Sequence, residues 1–208
     1  MNEAQVFEIL SFAAVLLVSV VLHEVIHGFI AYIQGDPTAK RAGRLTLNPL
    51  KHIDPFRTLL LPALLWISTG GRFFFGMAKP VPVNFSLLKN RKAGMISVAL
   101  AGPAMNLALA VLSAKLWNVT GQELFILAAY LNLGLALFNL IPVPPLDGSR
   151  ILAGLMPESW AYPFFKVEKF GYIVILILYF TGVLERVLMP ALIVSGRLLG
   201  LPNIEGVV

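Results

Sequence analysis

The sequence predicts an all-α polytopic membrane protein. It has a core of three spanning helices and one or two C-terminal membrane segments. A re-entrant or β-hairpin-like insertion on the cytoplasmic side separates the first and second core helices. Three observations predict this. Hydrophobic residues fill 58% of the 208 positions and charged residues 13%, against about 25% charged in soluble domains. Apolar runs long enough to cross about 30 Å of hydrocarbon recur along the chain. The basic residues that give a net charge of +5 lie between those runs, which is a membrane-orientation pattern and not a nucleic-acid stripe. The length suits one integral unit over residues 1–208, with a core at about 6–148 and C-terminal membrane segments at about 165–200.

Val6 to Tyr32 is the first span, about 40 Å long as a helix. The N-terminus, Met1 to Leu10, carries Glu3 and Glu8 but no Lys or Arg and no small-residue cleavage site. It therefore reads as part of the mature protein and not as a signal peptide. Gly35-Asp36-Pro37 ends the helix. A basic stretch follows, with Lys40, Arg41, Arg44, Lys51 and Arg57. Leu59 to Ser68 is apolar but too short to span and contains Pro62, so it reads as re-entrant or interfacial. Pro80 and Pro82 then bar a central strand, leaving an edge strand or loop around Phe73 to Val83. Lys89, Arg91 and Lys92 close the insertion, and the positive-inside rule puts all of it on the cytoplasmic side.

Ala93 to Trp117 is the second span and Leu124 to Ile141 the third, joined by a turn without Lys or Arg. Pro142 to Gly171 carries Arg150, Lys166 and Lys169 and returns to the cytoplasmic side. Tyr172 to Leu184 runs outward. Glu185-Arg186 interrupts, and Val187 to Leu199 is a further apolar segment containing Pro190. The absence of cysteine excludes disulfides and Cys-zinc sites.

Within the first span stands His23-Glu24-Val25-Ile26-His27. Positions four apart share a helix face, so both histidines can grip one metal ion while Glu24 acts on a water beside it. His-Glu-x-x-His on a helix is a zinc-hydrolase signature. A catalytic zinc needs a third protein ligand and an open position. His52 lies in the basic loop and suits loop-fixing. Asp36 and Asp54 each precede a proline in a turn. Asp147 differs, because it follows the helix-breaking Pro142-Val-Pro-Pro-Leu at the inner end of the third span. Non-helical backbone there can line a cavity, and a carboxylate at that depth needs a metal or a partner. Asp147 is the predicted third ligand, for one zinc ion per chain. Asn106 and Asn132 read as interhelical packing residues beside Ala104, Ala108, Gly134 and Ala136. Asn139, eight residues before Asp147, can reach the same cavity and hold an oxyanion or a substrate backbone.

These residues resemble the site-2 proteases, the intramembrane zinc metalloproteases of peptidase family M50. The resemblance rests on His23-Glu24-x-x-His27, Ala101-Gly102-Pro103-x-x-Asn106, and Asn139-x-x-Pro142-x-Pro144-x-Leu146-Asp147-Gly148. Arg44 to Pro55 and Gly76 to Asn84 look like the compact bacterial and archaeal subgroup, and no polar stretch is large enough for a PDZ domain. The resemblance implies zinc on His23, His27 and Asp147, Glu24 as the catalytic carboxylate, and Asn139 near the scissile bond. It also implies single-span membrane-protein substrates cut within the bilayer of the cell membrane, while charge counting alone turns the active site toward the cytoplasmic side. Two rivals predict other features. A membrane metal carrier needs further ligands along a path, and an inactive membrane-binding relative usually lacks the glutamate or a ligand.

Overall fold

The computed structural model describes residues 2–60, 64, 67, 79–157, 159–161 and 170–203. Helix α1 is Glu3–Ile33, opened by a capping box in which Asn2 and Gln5 satisfy each other's backbone N–H groups. It ends at Gln34, where Gly35 takes φ 107°. A single turn, α2, Thr38–Arg41, follows. Pro49–Lys51 and Pro55–Leu60 form one 3-10 turn and one π turn. Most of the short apolar segment expected at Leu59 to Ser68 lies outside the described residues, as do positions 73–78 of the expected edge strand. Residues 79–84 carry no regular structure, and no strand occurs among the described residues.

Helix α3 is Arg91–Thr120, capped by the Asn90 side chain and closed by Gly121 in the left-handed conformation. Helix α4 is Glu123–Asn139. Helix α3 is the centre of the fold, packing against α1, α4 and a short helix α5, Asp147–Leu155. The sequence reading placed Asp147 on non-helical backbone. The structure makes Asp147 the first residue of α5, whose buried side is Gly148, Ser149, Ala153 and Gly154. Gly154 lets α5 lie close to Lys92 and Ile96 of α3, Gly148 fits against the carbonyls of Leu140 and Ile141, and a nine-residue helix of this kind has no long apolar run to announce it.

Helices α6, Gly171–Phe180, and α7, Val183–Leu198, meet at 78°. The expected interruption at Glu185-Arg186 is corrected: the break is at Thr181-Gly182, with Gly182 at φ 71°. Glu185 sits in the first turn of α7, where the helix dipole favours an acid, and Pro190 lies inside the helix. Helix α7 packs on α4, and its Met189, Leu192 and Ile193 lie against a core cluster that includes Ala110, Ile126, Ala129 and Leu133. Tyr130 Oη donates to Pro202 O at 2.5 Å and pins the chain after α7.

Helices α1 and α3 are long and apolar enough to cross a membrane, and α6 with α7 counts as a third crossing if the bent pair is one span. Helix α4, with 17 residues, is apolar and shorter. The outer face of α1 exposes Phe7, Ile9, Leu10 and Val18, side chains that suit lipid and not water. This is a multi-pass membrane protein.

Candidate metal centre

The centre forms where α1 crosses α3. His23 and His27 lie one turn apart on the buried face of α1, at 7% and 8% exposure. Their mates on α3 are eight residues apart and run in the opposite sense. His27 Nδ1 lies 2.7 Å from Val98 O, and His23 Nδ1 lies 2.5 Å from Asn106 Oδ1. Gly102 falls midway between these mates. A Cβ there would stand 2.5 Å from His23 Cε1 and press on His27 as well, so only glycine leaves both imidazoles room.

Asp147 comes from the start of α5. Its Oδ2 is 3.2 Å from His23 Nε2 and 3.2 Å from His27 Nε2, and the two Nε2 atoms are 3.1 Å apart. Three ligand atoms on a tetrahedral zinc, with bonds near 2.0–2.2 Å, stand about 3.3 Å from one another. The triangle therefore fits that ion. The chemistry agrees. Val98 O can only accept, so His27 carries its proton on Nδ1 and turns the Nε2 lone pair to the centre. Asp147 Oδ2 is buried there without a hydrogen-bond partner. An anionic oxygen and an imidazole lone pair at contact distance call for a cation between them.

Glu24 is half-buried beside the triangle, and its Oε2 accepts from Val81 N–H at 2.7 Å. Pro80 and Pro82 have no N–H, so Val81 is the only backbone donor in that stretch. The segment itself is held from both ends. Lys79 N donates to His52 O, Arg44 Nη2 donates to Lys79 O, and Asn84 N donates to Asp36 Oδ2. Gly28, one turn beyond Glu24, makes room for the Val81 side chain.

The remaining candidates lie elsewhere. His52 is buried with Nε2 on Thr46 O at 2.8 Å, which fixes its own loop. Asp36 is fully buried and accepts from Thr38 and Asn84. Asp54 forms a turn with Thr58. Asn139 ends α4, and its Nδ2 donates to Leu135 O at 2.9 Å. Among the described residues, His23, His27 and Asp147 are the single group of three or more such side chains that could hold a metal ion. The sequence reading missed the contact of Asn106 with His23 and the contact of Val81 with Glu24. The first needed the α1–α3 register, and the second belongs to a backbone atom that leaves no mark in a side-chain pattern.

The family model described as Peptidase family M50 matches residues 11–120 and 113–182. Over 193 residues the chain is 42% identical to YwhC of Bacillus subtilis, named as a candidate zinc metalloprotease, covering 85% of this chain and 83% of that one. It is 32% identical over 177 residues to Rip2 of Mycolicibacterium smegmatis, likewise named, covering 82% of this chain and 66% of the relative. The zinc metalloprotease MJ0392 of Methanocaldococcus jannaschii is 29% identical over 152 residues, covering 71% of this chain and 34% of its own length. No solved structure matches the chain. From the match along most of its length and the ligand triangle at its centre, this chain belongs to peptidase family M50 and is a zinc-dependent metalloprotease.

Proposed function

We propose that the protein hydrolyses peptide bonds within or next to the transmembrane segments of single-span membrane proteins, in the manner of regulated intramembrane proteolysis. The observation that carries this is the convergence of His23, His27 and Asp147, 3.1–3.2 Å apart, inside helices that expose apolar faces. His23, His27 and Asp147 would hold zinc, which supplies Lewis-acid polarisation of water and of the peptide carbonyl. Glu24 then removes a proton from the attacking water and later returns it to the leaving amine. Its Oε2 is held by Val81 N–H, which leaves Oε1 for that proton. Asn139 keeps a second Nδ2 proton beyond its bond to Leu135 O, and this proton serves the oxyanion or the substrate backbone.

The whole chain acts as one integral unit, with a core at about 6–148 and a C-terminal membrane portion at about 165–200. It resides in the cell membrane with the site open to the cytoplasm, because the basic residues 40–57 and 89–92 gather at that end. Glu24 lies nine residues, about 14 Å along the axis, from the Ile33 end of α1. Water therefore has one helix end to pass, not the full bilayer.

The test is cleavage of a panel of single-span substrates by the purified protein, beside Glu24→Gln, with zinc measured in both. The expected result is cutting inside the span by the wild type, a loss of at least about 100-fold in the variant, and equal zinc in both. Zinc in both with cutting by neither would favour a metal carrier instead.

A further inference from the structure

Three buried polar side chains continue outward from His23 and serve no step above. Asn106 is fully buried, and Asn132 and Ser19 are each 2% exposed. Asn106 Nδ2 donates to Asn132 Oδ1 at 2.8 Å. Asn132 Nδ2 donates to Ser19 Oγ and to Ala128 O, both at 2.9 Å. The chain links α3, α4 and α1 in the apolar interior, where each unmet polar group would cost several kcal/mol.

The direction of this chain is decided at its far end. A carboxamide can turn over and exchange its donor and acceptor, but Ala128 O is a backbone carbonyl and can only accept. Asn132 must therefore face it with Nδ2, so Oδ1 faces Asn106. Asn106 must then present Nδ2 to Asn132 and Oδ1 to His23. Facing an oxygen acceptor, His23 must carry its proton on Nδ1, and its Nε2 lone pair turns toward His27 and Asp147. Reversing any one carboxamide sets oxygen against oxygen or nitrogen against nitrogen somewhere along the line.

We propose that Asn132, two hydrogen bonds from His23, is a positioning residue for the metal: with Asn106 it transmits the polarity of the α4 backbone to His23 and fixes the ring tautomer that binds zinc. Val98 O does this directly for His27, so the two imidazoles receive the same instruction from different helices. Ser19 accepts at the end of the chain without setting its direction, because a hydroxyl can donate or accept and Ala128 O already decides the matter. The proposal rests on His23 being a zinc ligand, and its test separates the two.

The test reads the tautomer in metal-free protein, in detergent, by NMR of 15N-labelled histidine, at roughly pH 8 where ordinary imidazoles are neutral. His23 is assigned with His23→Gln. Wild type is expected to show His23 with the proton on Nδ1 alone. Asn132→Leu is expected to show both tautomers, and its zinc affinity in chelator competition should fall by about 10–100-fold, as for other outer groups behind metal ligands. Ser19→Ala is expected to keep the wild-type tautomer. Wild type with the proton on Nε2 overturns the proposal, even if no variant folds. So does Asn132→Leu with an unchanged tautomer and unchanged zinc affinity. A wild type with the expected tautomer that binds no zinc overturns the ligand reading instead.

Discussion

At the residue scale, Gly102 sets two physical arguments against each other. Alanine is favoured over glycine inside a helix by about 1 kcal/mol, so Gly102→Ala ought to stabilise α3. Yet the added methyl would stand 2.5 Å from His23 Cε1, well inside contact distance. The imidazoles cannot retreat without losing Asn106 and Val98, so the site moves before the helix gains. Gly102→Ala is expected to keep its helical circular dichroism and to bind zinc at least about 10-fold more weakly, measured by chelator competition. The histidine pair and Glu24 were legible in the sequence because one helix supplies all three at a spacing that geometry dictates. Asn106 was visible only as a polar residue in a span, where packing is an adequate account. Its tie to His23 depends on which turn of α3 lies against which turn of α1, and no single-helix pattern carries that.

At the scale of elements, the segment Lys79–Asn84 acts through its backbone. One end is fastened by Asn84 N–H to the fully buried carboxylate of Asp36, and the middle holds Glu24. Asp36→Ala frees that end and leaves the amides of Thr38 and Asn84 without their acceptor. The expected outcome is a destabilisation of about 2 kcal/mol, zinc content unchanged, and a fall in kcat larger than any change in KM, read by thermal melting, metal analysis and steady-state cleavage. Equal loss of zinc and kcat would mean that the segment supports the metal and not the carboxylate. Helices α1 and α3 were legible as uninterrupted apolar runs. Helix α5 was not, because nine residues after a proline cluster give no long apolar run, and its buried side is made of small residues, Gly148, Ser149, Ala153 and Gly154. The break at Gly182 was missed because charges were taken as the stronger punctuation. Two charges on the surface of a helix cost little, whereas a residue at φ 71° turns the chain.

At the scale of the whole molecule, the absence of cysteine makes topology directly measurable. Lys51→Cys and Lys89→Cys are expected to react with an impermeant maleimide only from the cytoplasmic side, and Gln122→Cys only from the other. The reverse pattern would invert the orientation read from the basic residues. The length of α1 has a different consequence. Its 31 residues extend about 46 Å, while the hydrocarbon layer is about 30 Å thick. The surplus is absorbed by tilt, projection or local thickening of the bilayer, and lipid thickness sets the share of each. Changing the lipid therefore raises or sinks the histidine pair relative to the headgroups without altering a bond in the site. In vesicles of graded acyl-chain length, turnover is expected to fall as the chains lengthen while zinc content stays constant. Hydrophobic mismatch would then act as an effector: the membrane that holds the enzyme also meters its water.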